Sequence, residues 1–363
     1  MVHFKPIPIK DLLETVTGEV VAGARHDGSL SDVVVRTLVE PGSSSEADSA
    51  VAFFISESFV RYWNECKVQV AVVSKTLWPK LEALGIPDGR VVVLSPDAYL
   101  GLARLSKVVV DRNPELDWGS NLPVAGSNKR PASTVVDPTA QVSESAALGE
   151  NVRIGARSKI HAGVVLANGV TVGADSELFP NVVVYPRCEI GSRVRLHSGV
   201  VIGADGFGYA RGPKGSEKIY HLGRVIIGDD VEFGAMSAID RGTIRDSVVE
   251  QGAKVDNLVQ VGHNGHLKAH SILCAQVGLA GNVTIGRGAI LAGKAGVADK
   301  LEIGDGAIIG PMTGVSKDVE PGKVFMGQHI AREKKQWWRL LAYFDRLPEL
   351  FERVKKLEKT HER

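Results

Sequence analysis

The sequence predicts a mainly β chain: a parallel β-helix, preceded by a small α/β domain and followed by C-terminal helices. Three observations carry this reading. Aliphatic residues recur every sixth position over most of 136–315, 40 Gly stand beside only 6% aromatics, and residues 1–130 lack the repeat. At 363 residues the chain has room for two or three domains and a sizeable core.

In residues 1–130, helical stretches mix with β-branched runs such as VQVAVVS at 68–74 and VVVLS at 91–95, the pattern of an α/β domain. The polar, Pro-containing stretch SNKRPASTVVDPTA leads out of it and places the boundary near 130. The repeat follows in residues 131–320. Counting in sixes from Val136 gives Val142, Leu148, Ile154 and so on to Ile202 without a polar interruption. A second frame starts at Ile227, Phe233 and Ile239, slips near Gly242, and runs from Val249 to Val315. A period of six fits neither the 3.6 of a helix nor the 2 of a long strand, but it fits short strands separated by turns. Three hexads then close one triangular coil, stacked on the next at about 4.8 Å, with the aliphatic rows inward. Each inward Leu, Ile or Val contributes roughly 1.5–3 kcal/mol on burial. Between the frames, residues 203–226 hold too many Gly, Pro and charges for a coil and are expected to project as an inserted loop. Residues 321–363 have helix-forming composition, with Leu347, Leu350, Val354 and Leu357 at helical spacing and a helix boundary expected between Asp345 and Pro348.

Composition narrows the function. Forty-three Lys and Arg against 42 Asp and Glu leave a net charge of +1, with no global footprint for nucleic acid or an anionic membrane. No run of about 18 apolar residues predicts a transmembrane segment. The N-terminus MVHFKPIPIKDLLE lacks a leader pattern, and three scattered cysteines, Cys66, Cys188 and Cys274, fit a reducing, cytoplasmic setting. Cys188 and Cys274 read as small packing residues rather than nucleophiles. The loop motif GADGFG is G-x-x-G-x-G after a coil, not the dinucleotide fingerprint, so no nicotinamide cofactor is expected. Metal binding is not expected either: His161 and His197 lie two coils apart, and His263, His266 and His270 form no ligand motif.

The hexad resembles the left-handed parallel β-helix of hexapeptide-repeat proteins; the hand comes from the resemblance, since the general crossover rule favours the right. Further motifs are more specific: GADGFGYA at 203–210, LGRVIIGDDVEFGA at 222–235, AIDRGTI at 238–244, VDNLVQVGHN at 255–264, VSKDVEPGKV at 315–324 and RLPELFERVKKLE at 346–358. With these the chain resembles the UDP-3-O-acylglucosamine N-acyltransferases of lipid A synthesis, the LpxD family. The resemblance implies a homotrimer with active sites between subunits. It implies transfer of a 3-hydroxyacyl chain from acyl carrier protein to the 2-amine of a UDP-amino sugar, without a cofactor.

An amine attacking a thioester must lose a proton, and histidine suits that work near neutral pH. His263 matches the family's base. Gly281 lies 18 residues on, one coil above on the same edge, where its N–H could serve a developing oxyanion. Asn264 and Asn282 share the next edge and are expected to form a structural ladder. Asp256 lies one face away within its own chain and is a candidate across a trimer interface or in donor binding, with a solvated or hydrogen-bonded carboxylate as the equal alternative. By the resemblance, Phe207 and Tyr209 of the loop approach substrate or a neighbouring subunit, with a self-packed surface loop as the alternative. FFISESF at 53–59 stands where the family's F-L-x-N-P-x-Y meets uridine, so Phe53, Ser56 and Phe59 are the expected binding residues, with Ser56 replacing an Asn and Phe59 a Tyr. Asp299-Lys300 replaces a Gly-His pair. These departures leave open a paralogue with another amino-sugar acceptor, and the repeat alone also suits a non-catalytic trimeric scaffold. An O-acyltransferase of UDP-N-acetylglucosamine normally lacks the N-terminal domain. Basic residues after 333, among them Lys334, Lys335, Arg339 and Arg353, suit either an acidic carrier protein or a simply solvated helix face.

Overall fold

The computed structural model describes residues 2–22, 30–43, 49–116, 131–327 and 331–361. The boundary expected near 130 falls outside these residues. Packing divides the chain into two units, Met1–Met326 and Gly327–Arg363.

The first unit opens with six strands, β1 (Val2–Pro8), β2 (Glu19–Ala22), β3 (Val34–Val39), β4 (Ala50–Phe54), β5 (Val70–Ser74) and β6 (Val91–Ser95), in the order β1-β3-β4-β5-β6-β2. The middle pairs are parallel and the two edge strands antiparallel. Every residue of β4 is buried, as a parallel strand covered on both faces requires. Three helices, α1 (Ile9–Val16), α2 (Trp78–Glu82) and α3 (Ala98–Arg112), accompany the sheet. The side chain of Asp97 caps α3 by accepting from the Leu100 N–H.

Beyond residue 131 the chain winds through three parallel sheets of 9, 10 and 9 short strands, and the aliphatic rows are its core. Ile154 pairs with Val172 and Val172 with Ile190, the expected 18-residue rung. At most turns between faces from Asn151 onward one residue takes a left-handed backbone. These residues recur every six positions, from Asn151 and Arg157 through Asp175 and Asn181 to Arg187 and Arg193. For non-glycine residues this conformation costs roughly 1–2 kcal/mol. Rung-to-rung hydrogen bonds and the inward rows hold it in place. Phe233 is the largest side chain of the coil interior, fully buried between Leu196 and Val255 of the neighbouring rungs. Phe233→Ala is expected to cost about 3–5 kcal/mol, measured by denaturant unfolding.

The two irregularities of the repeat fall on one corner. Ile190 pairs with Ile227, 37 residues on, so the 203–226 segment adds 19 residues to that coil. Ile227 pairs with Val249, 22 residues on, so the slip near Gly242 is an insertion of four. Both lie between a strand of the third sheet (Val201–Ala204, Ala238–Asp240) and the next strand of the first (Val225–Ile227, Ser247–Val249). The long insertion is not merely a projecting loop. It forms an antiparallel hairpin, Tyr209–Gly212 with Gly215–Lys218, laid against α3. Ala210 and Ile219 pack on Ala103, Arg104 grips Glu217 with two hydrogen bonds, and Ser106 Oγ accepts from the Tyr220 N–H. Leu222 and Ile244, one from each insertion, enter the core of the N-terminal sheet.

The second unit holds one helix, α4 (Lys334–His361), not the pair expected from Pro348. Proline removes one N–H donor and disfavours helix in the residue before it. In a helix of 28 residues the remaining bonds carry the chain through.

Candidate active site

The enlarged corner builds a cavity of about 850 Å3. Its walls are the turns at 240–244, 262–264, 279–282 and 299–300 on successive coils, the hairpin loop at 207–208, and the segments 53–59 and 99–102 of the N-terminal domain.

His263 stands at its centre. The ring Nδ1 lies 3.0 Å from Asn264 Oδ1. The Asn264 amide cannot be reversed: its Oδ1 also accepts from the Thr243 N–H at 3.1 Å, and its Nδ2 donates to the Arg245 carbonyl at 3.1 Å. An amide oxygen only accepts, so Nδ1 carries the proton and Nε2 keeps its lone pair. The two groups that fix this amide belong to the four-residue insertion. The predicted Asn264–Asn282 ladder is therefore a mistaken reading. Asn264 turns back to the previous coil and to His263, while Asn282 Oδ1 meets Arg245. Asn264 is 6% exposed. Asn264→Ala is expected to cost about 1–3 kcal/mol, because buried groups lose their partners, and thermal unfolding would measure it.

Gly281 lies against the same ring. A Cβ built on it would stand 2.5 Å from His263 Nε2 and 2.7 Å from Cε1. Among the described residues no hydrogen bond claims the Gly281 N–H. Gly206 also stands against His263: a Cβ there would meet His263 Cβ at 2.6 Å and His221 Nε2 at 2.9 Å. His221 is 3% exposed, its ring edge-on to His263 at 5.1 Å between centroids. Its Nδ1 donates to the Ile219 carbonyl, and burial pushes its pKa down to about 4. It is a neutral wall behind the base.

Of the predicted residues, the cavity brings together Phe53, Ser56, Phe59, Phe207, His263 and Gly281, with Asp299 and Lys300. Phe53 is only 2% exposed, held in the domain core, so the half-buried Phe59 offers the more open aromatic surface. Phe207, two residues before the hairpin's first strand, is 88% exposed. Tyr209 and Asp256 do not line this cavity of the single chain. Tyr209 packs edge-on to Phe207 at 5.0 Å, on the first strand of the hairpin. Asp256 occupies a turn between other faces of the coil, where Oδ1 accepts from the N–H and Nδ2 of Asn257. Cys188 is a buried packing residue. His161 and His197 stack on opposite sides of Phe179. The sequence reading missed Asp240, Glu40, Thr243 and Tyr99 as lining residues. The register slip beside Asp240 was the available signal.

Residues 169–204 match the family described as Bacterial transferase hexapeptide (six repeats). A UDP-3-O-acylglucosamine N-acyltransferase of Cupriavidus pinatubonensis is 37% identical over 286 residues, 77% of this chain and 75% of that protein. One of Oleidesulfovibrio alaskensis is 53% identical over 159 residues, covering 44% of this chain and 46% of the relative, less than half of its length. Among solved structures, LpxA from Acinetobacter baumannii covers 55% of this chain and 70% of its own at 22% identity, with a TM-score of 0.40. Coil and corner together define an acyltransferase of the hexapeptide-repeat class, built on a parallel β-helix. More narrowly, the chain belongs to the UDP-3-O-acylglucosamine N-acyltransferase family.

Proposed function

We propose that this chain transfers a 3-hydroxyacyl group from the thioester of acyl carrier protein to the 2-amine of a UDP-3-O-acylglucosamine, a step of lipid A synthesis. One observation carries the reading: an imidazole with its free nitrogen fixed stands against a glycine in a cavity shared with the 53–59 segment. His263 Nε2 takes a proton from the attacking amine and returns it to the departing thiolate. The Gly281 N–H stabilises the oxyanion of the tetrahedral intermediate, a contribution of roughly 2.7–4 kcal/mol for one such donor. Phe59 and Ser56 meet the uridine end of the acceptor. The active form is a homotrimer, and the basic residues of α4 attract the acidic carrier protein.

A second reading rests on departures that line the cavity. Ser56, Phe59, Asp299 and Lys300 differ from the family pattern and all touch it, which favours an altered amino-sugar acceptor. Incubation with a panel of UDP-amino sugars and 3-hydroxyacyl carrier proteins, followed by mass spectrometry, tests both. The first predicts an amide on UDP-3-O-acylglucosamine. The second predicts one on another amino sugar, and no acyl product on any acceptor leaves the scaffold alternative.

A further inference from the structure

Asp240 ends the strand Ala238–Asp240, one turn before the four-residue insertion, and lines the cavity with His263. Its Oδ1 accepts from Gln260 Nε2 at 3.0 Å. Among the described residues no Lys, Arg or His forms an ion pair with it. The surrounding cations are committed elsewhere. Arg241, its neighbour in sequence, is buried and donates to the carbonyls of Gly203, Leu116 and Pro186. Lys218 pairs with Asp205 at 2.6 Å. His221 bonds Ile219, and His263 points Nδ1 at Asn264. Asp205 contributes only a like charge.

A partly buried carboxylate without a cationic partner is costly unless a ligand supplies one. Its environment agrees. Burial raises the Asp240 carboxyl to about 6, while the Gln260 hydrogen bond and His263 pull it back down. An amino sugar arrives largely as an ammonium ion, which cannot attack a thioester.

We propose that Asp240 binds the acceptor's 2-ammonium group and takes its first proton, a role that rests on the amine-acylation reading above. The steps balance. R–NH3+ gives one proton to the Asp240 carboxylate and becomes R–NH2. The nitrogen lone pair forms the C–N bond at the thioester carbon, and His263 Nε2 takes the second proton. The C–S bond breaks, the thiolate receives the proton from His263, and Asp240 releases its own to solvent. Ammonium and thioester thus give amide, thiol and one H+.

The test compares wild type and Asp240→Asn with two acceptors, UDP-3-O-acylglucosamine and its analogue with a 2-hydroxyl in place of the amine. Calorimetric binding and kcat/KM against pH are the readouts. Wild type should bind the amine more tightly than the hydroxyl analogue. Asp240→Asn should weaken amine binding about 10-fold or more, leave hydroxyl binding unchanged, and abolish the preference, in line with a charged hydrogen bond of a few kcal/mol. The acid limb of kcat/KM should be less steep in the variant than in wild type, by the one proton that Asp240 takes. Equal losses for both acceptors, or an unchanged preference, would overturn the proposal. Gln260→Leu removes the neutral partner and keeps the charge, so its acid limb should move to higher pH; an unmoved limb counts against Asp240 even if Asp240→Asn does not fold. The two readings fail separately. Wild type that prefers the amine but never acylates it overturns the transfer reaction and leaves the ammonium site. Active wild type with an unaffected Asp240→Asn overturns the ammonium site alone.

Discussion

His263→Ala is expected to lower kcat/KM for acyl transfer by roughly 10²–10⁴, the usual share of a positioned acid–base group. The fold should survive, because the ring lies at the coil's corner rather than among its inward rows. The lone pair of Nε2 is held by a relay across two coils. The insertion at 240–247 fixes the Asn264 amide, and that amide fixes the imidazole. Steady-state assay of a variant with native circular dichroism and unfolding midpoint measures the loss. Near-normal turnover would remove His263 from the chemistry.

Gly281→Ala should approach that loss, on the order of 10²-fold, although it deletes nothing. Gly281 has no left-handed backbone, so alanine suits its conformation. The added methyl must stand 2.5 Å from Nε2, inside contact distance, and either the ring or the coil has to shift. The ring is the softer partner, being anchored by one hydrogen bond to Asn264. Displacing it by even an ångström misaligns the base, at a stability cost of about 1–3 kcal/mol for overpacking. The double variant decides whether the effect runs through the imidazole. Gly281→Ala should add little in the His263→Ala background, since groups acting as a unit are non-additive. Independent, multiplying losses would mean the methyl acts elsewhere.

The coil was legible because its energetics are periodic. A row such as Ile154, Val172 and Ile190 repeats one burial at fixed spacing, and 18-residue arithmetic alone places Gly281 over His263. The same arithmetic failed for Asn264 and Asn282. It presumes that a residue's partner is the same position one coil away, and the Thr243 and Arg245 backbone groups intervene from an insertion that breaks the period. It was also silent on Asp240, which among the described residues has Gln260 as its hydrogen-bond partner and no cation paired with it. No local pattern encodes an absence. Pro348 misled for a different reason: a local helix-breaking tendency of a few kcal/mol is outvoted along 28 residues.

By itself the sequence determined the triangular coil, its core rows, the candidate base and the glycine beside it. The coil, its rows and the glycine follow from short-range spacing, where each residue's neighbour lies a fixed number of positions away; the base follows from the resemblance of VQVGHN to the family's motif. Only the tertiary structure decided that both insertions swell the same corner, that residues 53–59 close over it, and that Tyr209 and Asp256 lie outside the cavity. Those contacts join segments with no common period, so their partners are set by how three-dimensional surfaces meet.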